Sequence, residues 1–242
     1  MEETYIRRII LKEEIDTSSY PFSIPAVQYM ESIQFTTPVT FFVGENGTGK
    51  STLIEAIAIA AGFNAEGGTK NYHFSSLDTT SELSGAMTLV RGAKREQYGY
   101  FLRAESFYTT ANYAEHGTFD SFGPRPILFG GKHIHEQSHG EAFLSIVNEF
   151  RPGLFIFDEP EAAFSPQRIM SLMVAIQRLV RQGSQFIIAT HSPILLAFPG
   201  ATIYKLSPDG VSATPYEDIE HVTMTKDFLN NPSNYLDRLF DE

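Results

Sequence analysis

Short, almost continuous apolar runs recur along the chain and alternate with longer segments in which apolar residues are spaced three or four apart. The runs at 39–43, 154–157 and 185–190 are rich in β-branched and aromatic residues, which predicts buried strands. The segments 53–61 and 166–182 carry helical patterns, and each ends before a glycine. Strands that alternate with helices predict a mainly parallel central sheet, whose ligands bind at the carboxyl ends of the strands.

The other segments are less regular. Residues 5–11 are typical of a first strand, and the runs 86–91 and 98–104 flank a charged turn, which predicts an antiparallel hairpin within 83–105. Residues 106–150 hold a Gly- and Pro-rich stretch followed by a helical segment that begins near Ser138. Two strand-like runs at 202–206 and 211–214 and a helical tail at 235–240 close the chain. We expect one domain over 1–242, with 83–105 as its antiparallel β region and 106–150 as an irregular segment and helical lobe.

Composition limits the class of protein. The 242 residues are 42% hydrophobic, which suits a globular α/β domain, and the absence of cysteine excludes a disulfide scaffold. The formal net charge is −11 and the basic residues are scattered, so overall charge does not favour nucleic-acid binding. The acidic start lacks a signal peptide's basic region, and no apolar run approaches the roughly 20 residues of a membrane span. We therefore expect a cytoplasmic protein without an integral membrane segment.

The stretch 44–52 carries the strongest chemical signal. Its letters GENGTGKST fit G-x-x-x-x-G-K-[ST], between a predicted strand and a predicted helix. Glycines allow successive backbone N–H groups to face phosphates, and the helix start adds partial positive charge. Lys50 is expected to reach the β- and γ-phosphates of a nucleotide, and Ser51 to coordinate Mg²⁺. The predicted nucleotide-binding residues here are Gly44, Asn46, Gly47, Thr48, Gly49, Lys50, Ser51 and Thr52.

Three further residues follow predicted strands and complete a hydrolytic site. Asp158 is expected to hold Mg²⁺, and Glu159 to orient or deprotonate the attacking water. His191 is placed to contact a γ-phosphate or that water, because a neutral imidazole can hydrogen-bond to either. The predicted catalytic residues are therefore Glu159, His191 and Lys50, and the predicted metal ligands are Ser51 and Asp158.

The ordered motifs GENGTGKST, SHGE, LFIFDEPE and ATHS resemble those of ATP-binding-cassette (ABC) ATPases, in particular the stand-alone, SMC-like and recombination branch. The resemblance implies an α/β P-loop NTPase fold with a mainly parallel central sheet, an antiparallel β lobe and a small helical lobe. It also implies ATP and Mg²⁺ as ligands and an ATP-dependent homodimer. In such a dimer Ser138 and Gly140 would contact the nucleotide of the other subunit, although Ser-x-x-Glu is also an ordinary helix capping box.

The sequence departs from the family at two places. Ser165 stands where the family has an aspartate after the acidic strand, and no glutamine occupies the family's Q-loop context. Glu105 is the nearest candidate for that position, and Gln97 comes too early. The coupling between nucleotide state and a partner is therefore not assigned to any residue.

Two minor interpretations concern aromatic residues and histidines. Tyr20, Phe22 and Tyr29 precede the phosphate loop and could stack on adenine, but ordinary core or edge packing explains each of them more simply. The histidines 133, 135 and 139 are too loosely spaced to predict a metal site.

The predicted function is an ATP-hydrolysing switch that acts on a nucleic-acid or protein partner. The alternative is the nucleotide-binding subunit of an ABC transporter, against which the missing Q-loop glutamine argues. A P-loop kinase gives no reason for Glu159 after Asp158, and a GTPase would need an Asn-Lys-x-Asp motif that is absent from the sequence.

Overall fold

The computed structural model describes residues 4–12, 15–70, 82–103 and 139–240. Its strands are β1 (Ile6–Leu11), β2 (Ser32–Gln34), β3 (Val39–Val43), β4 (Met87–Arg91), β5 (Gly99–Arg103), β6 (Leu154–Asp158), β7 (Gln185–Ala189), β8 (Thr202–Ser207) and β9 (Gly210–Ala213). Its helices are α1 (Pro25–Gln28), α2 (Lys50–Ala61), α3 (Glu82–Ala86), α4 (His139–Asn148), α5 (Pro166–Arg181), α6 (Pro193–Leu196), α7 (Glu220–Asn230) and α8 (Pro232–Phe240). Two 3₁₀ turns, Pro160–Ala163 and Tyr216–Asp218, complete the described elements.

The central sheet has the strand order β5-β6-β7-β3-β8-β9. All its neighbouring strands run parallel except β8 and β9, which form an antiparallel pair at one edge. Every residue of β3, β6 and β7 is buried, because helices or the second sheet cover both faces. The continuous apolar runs in the sequence arise from this double burial, which is typical of parallel sheets.

Alternate residues of the central strands enter two separate hydrophobic cores. On one face, Phe155 and Phe157 pack with residues of α4 and α5. On the other face, Leu154 and Ile156 pack with α2 and with the second sheet, whose strand order is β2-β1-β4. Helix α2, which begins at the phosphate loop, therefore lies between the two sheets.

The predicted hairpin within 83–105 is wrong. Strand β4 pairs antiparallel with β1, whereas β5 pairs parallel with β6 in the central sheet. The charged segment between them crosses from one sheet to the other, and its Glu96 is buried in ion pairs with Lys70 and Arg91. Burial alone would raise the pKa of Glu96, but these hydrogen bonds outweigh it and lower that pKa. The segment is largely exposed, as its charges suggest, but it connects two sheets instead of closing a hairpin.

The C-terminal helices dock beside the end of β7. Ile219 and Val222 are buried in the same core as Leu195 of α6, and the Tyr216 hydroxyl donates a hydrogen bond to the Pro193 carbonyl at 3.1 Å. The predicted tail at 235–240 is the second half of α8, and α7 was not predicted. Among the helices of the described ranges, none has the length and apolar character needed to cross a membrane.

A buried side-chain amide joins the two sheets. Gln185 is 1% exposed; its Oε1 accepts a hydrogen bond from the Ile6 N–H, and its Nε2 donates one to the Ile6 carbonyl, each at 2.9 Å. The amide thereby pairs with the edge of β1 as another strand's peptide group would. It satisfies two backbone groups that would otherwise be buried without a partner.

Replacing Gln185 with leucine should lower the free energy of unfolding by about 2–4 kcal/mol, because both groups of Ile6 would lose their partner. Urea unfolding followed by circular dichroism measures the change. Gln182→Leu, at an exposed position just past α5, is the control and should change stability by less than about 0.5 kcal/mol. Equal stabilities of the two variants would contradict this role of Gln185.

Candidate functional site

The phosphate loop connects β3 to α2 and depends on glycine at specific points. Gly47 and Gly49 have φ values of 82° and 93°, in the left-handed region that glycine adopts readily. A Cβ atom on Gly49 would lie 2.7 Å from Ile24 Cγ2, and one on Gly44 would lie 2.7 Å from the Leu206 carbonyl oxygen. The loop is therefore packed against α1 and β8, and larger residues at these two positions would displace it.

The other residues predicted to bind the phosphates lie on the same loop or in the first turn of α2. The Thr48 hydroxyl donates to the Glu45 carbonyl at 2.8 Å, which closes the turn, and Asn46 is exposed at its tip. The Thr52 hydroxyl, one turn into α2, lies 3.3 Å from the Tyr20 hydroxyl.

Lys50 points back into the loop. Its side chain is buried, with the residue 4% exposed, and Nζ donates to the carbonyls of Gly44 at 2.9 Å and Glu45 at 3.0 Å. Burial lowers the pKa of Lys50, and the nearby carboxylates, with Glu159 first and Asp158 second, act in the opposite direction. An ammonium group is thus held beside the backbone that would surround a phosphate.

Ser51 and Asp158 meet although 107 positions separate them. The Ser51 hydroxyl donates to Asp158 Oδ1 at 3.1 Å, and Asp158 is 7% exposed at the end of β6. One hydroxyl and one carboxylate are the hard oxygen ligands that Mg²⁺ prefers, with waters and substrate phosphates supplying the rest. The two residues fit the predicted metal role. No group of three or more metal-ligating side chains occurs in the described ranges.

Glu159 has an unusual backbone conformation. It is the one non-glycine residue with positive φ in the described part of the chain, at φ 50° and ψ 54°. This conformation costs on the order of 1 kcal/mol or more, and such strain is concentrated at functional sites. The Glu159 N–H donates to the Ala189 carbonyl at 3.0 Å, which ties the turn after β6 to the end of β7.

His191 faces this carboxylate. Its Nε2 lies 3.4 Å from Glu159 Oε1, and both side chains keep a third or more of their surface exposed. The His191 backbone N–H donates to the carboxylate of Glu161. Glu161 was not predicted as a site residue, although it is the last residue of the quoted LFIFDEPE motif. The predicted Lys50, Ser51, Asp158, Glu159 and His191 thus gather at the carboxyl ends of β3, β6 and β7.

A second histidine also reaches the site. His221, the second residue of α7, has its ring centroid 6.1 Å from that of His191. Burial is the main cause that lowers the pKa of His221, followed by electrostatic effects of the neighbouring His191 and Lys50. Sequence reasoning missed this residue, because it lies 30 positions after the last motif in a helix that was not predicted.

The three aromatic candidates for adenine stacking differ in environment. Phe22 is buried in the core between the sheets, as the simpler interpretation predicted. Tyr29 is exposed but lies close to β9. A Cβ atom added to Gly210 would be 3.2 Å from the Cβ atom of Tyr29. Tyr20 is 70% exposed, and its hydroxyl lies close to that of Thr52 beside the phosphate loop.

Some predicted residues fall outside the described ranges. Ser138, Glu105, His133 and His135 are among them, while Gly140 and His139 begin α4. The contact of Ser138 and Gly140 with a second subunit's nucleotide therefore stays a prediction. Ser165 occupies the N-cap position of α5 with extended backbone, as predicted, but its side chain makes no capping hydrogen bond within the described turn.

Comparisons with known proteins agree with this arrangement. A family model described as "AAA domain" matches residues 26–115, and one described as "AAA domain, putative AbiEii toxin, Type IV TA system" matches residues 142–197. The chain is similar to the solved structure of cbiO1 from Clostridium perfringens, part of the ABC transporter complex cbiONQ. The identity is 16%, the match covers 99% of this chain and 100% of that one, and the TM-score is 0.50.

A second solved structure, an SmcHead bound to the C-winged helix domain of ScpA, is 15% identical over 87% of this chain and 97% of that one. Its TM-score is 0.47. The search of curated proteins found no match. The likeness to cbiO1 confirms the predicted fold class, whereas the narrower SMC-like assignment stays a prediction.

Proposed function

We propose that this chain, which has the fold of an ABC-type ATPase and matches two AAA-domain models over parts of its length, binds ATP with Mg²⁺ and hydrolyses it to ADP and phosphate. Lys50 and the backbone N–H groups of 44–49 bind the phosphates. Ser51 and Asp158 hold Mg²⁺, which when bound neutralises phosphate charge and orients the phosphate oxygens.

The observation that carries this proposal is the hydrogen bond between Ser51 and Asp158 at 3.1 Å. It brings the end of the phosphate loop and the end of the acidic strand to one point, where a cation could contact both. The neighbouring ammonium of Lys50 and carboxylate of Glu159 supply the opposite charges that phosphate binding and water activation require.

The roles of Glu159 and His191 follow from their positions. Glu159 accepts the proton of the attacking water, and the strained turn after β6 directs its carboxylate toward His191. Glu161 fixes the backbone of His191, so its imidazole can hydrogen-bond to the terminal phosphate or to the water.

We further propose that two ATP-bound subunits associate and that hydrolysis separates them. The partial exposure of Glu159 and His191 supports this step, because a second surface could cover the open side of the site. Ser138 and Gly140 would belong to that second surface. The released or assembled state would act on a nucleic-acid or protein partner.

Phosphate release from ATP by the purified wild-type protein tests the catalytic proposal. We expect Mg²⁺-dependent production of ADP and phosphate, at a rate on the order of 1 s⁻¹ or slower for an ATPase without its partner. Chelation of Mg²⁺ with EDTA should stop the reaction. Tight ATP binding without any phosphate release, across partners and temperatures, would leave a binding protein and overturn the hydrolytic role.

A further inference from the structure

A buried ring nitrogen without a hydrogen-bond partner among the described residues, Nε2 of His221, lies on the ring next to His191. This nitrogen is inaccessible to solvent and forms no hydrogen bond with any part of the chain that the structure describes, whereas Nε2 of His191 faces Glu159 Oε1 at 3.4 Å. The rings are tilted by 58°, with centroids 6.1 Å apart. Buried polar atoms in folded proteins nearly always have a partner. The unpartnered nitrogen of His221, beside the ring of His191, is therefore a candidate contact for a polar ligand.

The charges around His221 favour an anionic ligand. Lys50 of the phosphate loop and Lys205 of β8 both act electrostatically on this imidazole, as does His191, and Glu220 is the carboxylate that acts in the opposite direction. Burial lowers the pKa of His221, so the ring is neutral at pH 7 and offers one N–H donor. A neutral imidazole that carries its proton on Nε2 can donate to a phosphate oxygen.

The fold holds His221 at this position. The residues around it, Ile219 and Val222, are 1% and 4% exposed and pack into the core beside α6, the helix that follows His191. The hydrogen bond from the Tyr216 hydroxyl to the Pro193 carbonyl joins the two segments a second time. His221 and His191 are therefore positioned by one packed unit.

We propose that His221 Nε2 donates a hydrogen bond to the terminal phosphate of bound ATP, beside His191, so that α7 distinguishes a triphosphate from a diphosphate. This inference rests on the proposed function, because it assigns a further contact within the same nucleotide site.

The test compares the affinities of a non-hydrolysable ATP analogue and of ADP, both with Mg²⁺, by isothermal titration calorimetry. For His221→Ala we expect the dissociation constant of the analogue to rise about tenfold, while that of ADP stays within twofold of wild type. His221→Gln, whose amide can donate from a similar reach, should recover at least half of the lost affinity. Met224→Ala, at an exposed position on the same helix, is the matched control and should change neither constant.

The outcomes separate the two proposals. Equal weakening of the analogue and ADP by His221→Ala would mean a structural role, and unchanged affinity for both would mean no role; either result overturns the inference. If the wild-type protein binds both nucleotides and Lys50→Ala loses both, the nucleotide-binding part of the proposed function stands in each of these cases. If the wild-type protein binds neither nucleotide, the proposed function and the inference fail together.

Discussion

Glu159→Gln should slow ATP hydrolysis by a factor on the order of 10² or more while leaving ATP binding intact. The amide cannot accept the proton of the attacking water, but its size and shape are those of the carboxylate, so the left-handed turn after β6 and the contact with Ala189 are kept. Phosphate release under saturating ATP measures the rate, and calorimetry measures the binding.

Glu161→Gln is the matched control, because this carboxylate lies two residues away and accepts a hydrogen bond from the His191 backbone. A glutamine side chain retains an acceptor oxygen, so hydrolysis should fall only a few-fold. If Glu159→Gln hydrolyses ATP at the wild-type rate, or if both variants lose activity equally, Glu159 is not the base.

The same Glu159 variant tests the association step. Its mass in solution, measured by light scattering with and without ATP and Mg²⁺, should double only in the presence of ATP, since the bound nucleotide is not consumed. A constant mass despite proven binding would remove the dimer from the proposed function and leave hydrolysis by a single subunit.

Lys50→Ala should weaken ATP binding on the order of 10²-fold or more, because charge-assisted hydrogen bonds to phosphate are among the strongest polar contacts in proteins. The affinity of ATP with Mg²⁺ measures the effect. Lys226→Ala, at an exposed position on α7, removes the same charge from the surface and should leave the affinity unchanged. Wild-type affinity in the Lys50 variant would refute the phosphate-loop role.

The free protein also needs a measurement, because Lys50 is buried and bonds to the carbonyls of Gly44 and Glu45. Loss of those bonds could change the stability of the loop itself. An unchanged melting temperature of the variant without nucleotide would assign the whole loss of affinity to the missing phosphate contact.

The sequence alone predicted the elements whose local residue pattern is compatible with only one kind of secondary structure. The runs that became β3, β6 and β7 were recognisable because both faces of these strands are buried, so every position is apolar. The prediction of a hairpin was wrong because the apolar character of β5 and the charges of the segment before it pointed to different structures. Strand β5 is almost as fully buried as β6, which should have placed it in the central sheet, but the charges of the connecting segment suggested a solvent-exposed turn.

The residues of the candidate site likewise fall into those that a local motif predicts and those that it does not. Gly49, Lys50 and Ser51 were predictable because phosphate binding demands fixed residue types at fixed spacing. The contacts of Glu161 with His191 and of His221 with His191 each span 30 positions and follow from packing between elements, which no local pattern encodes.

The hydrogen bonds of the Gln185 amide determine where the second sheet is attached to the central sheet. The amide fastens β1 at Ile6, and the six residues of that strand run about 20 Å from the fastening point before the chain returns to the phosphate loop at Tyr20. Because β1 also pairs with β2 and β4, a rotation at Ile6 would move the second sheet together with β1. A rotation of about 5° over that length corresponds to a shift of about 2 Å at Leu11, the far end of the strand.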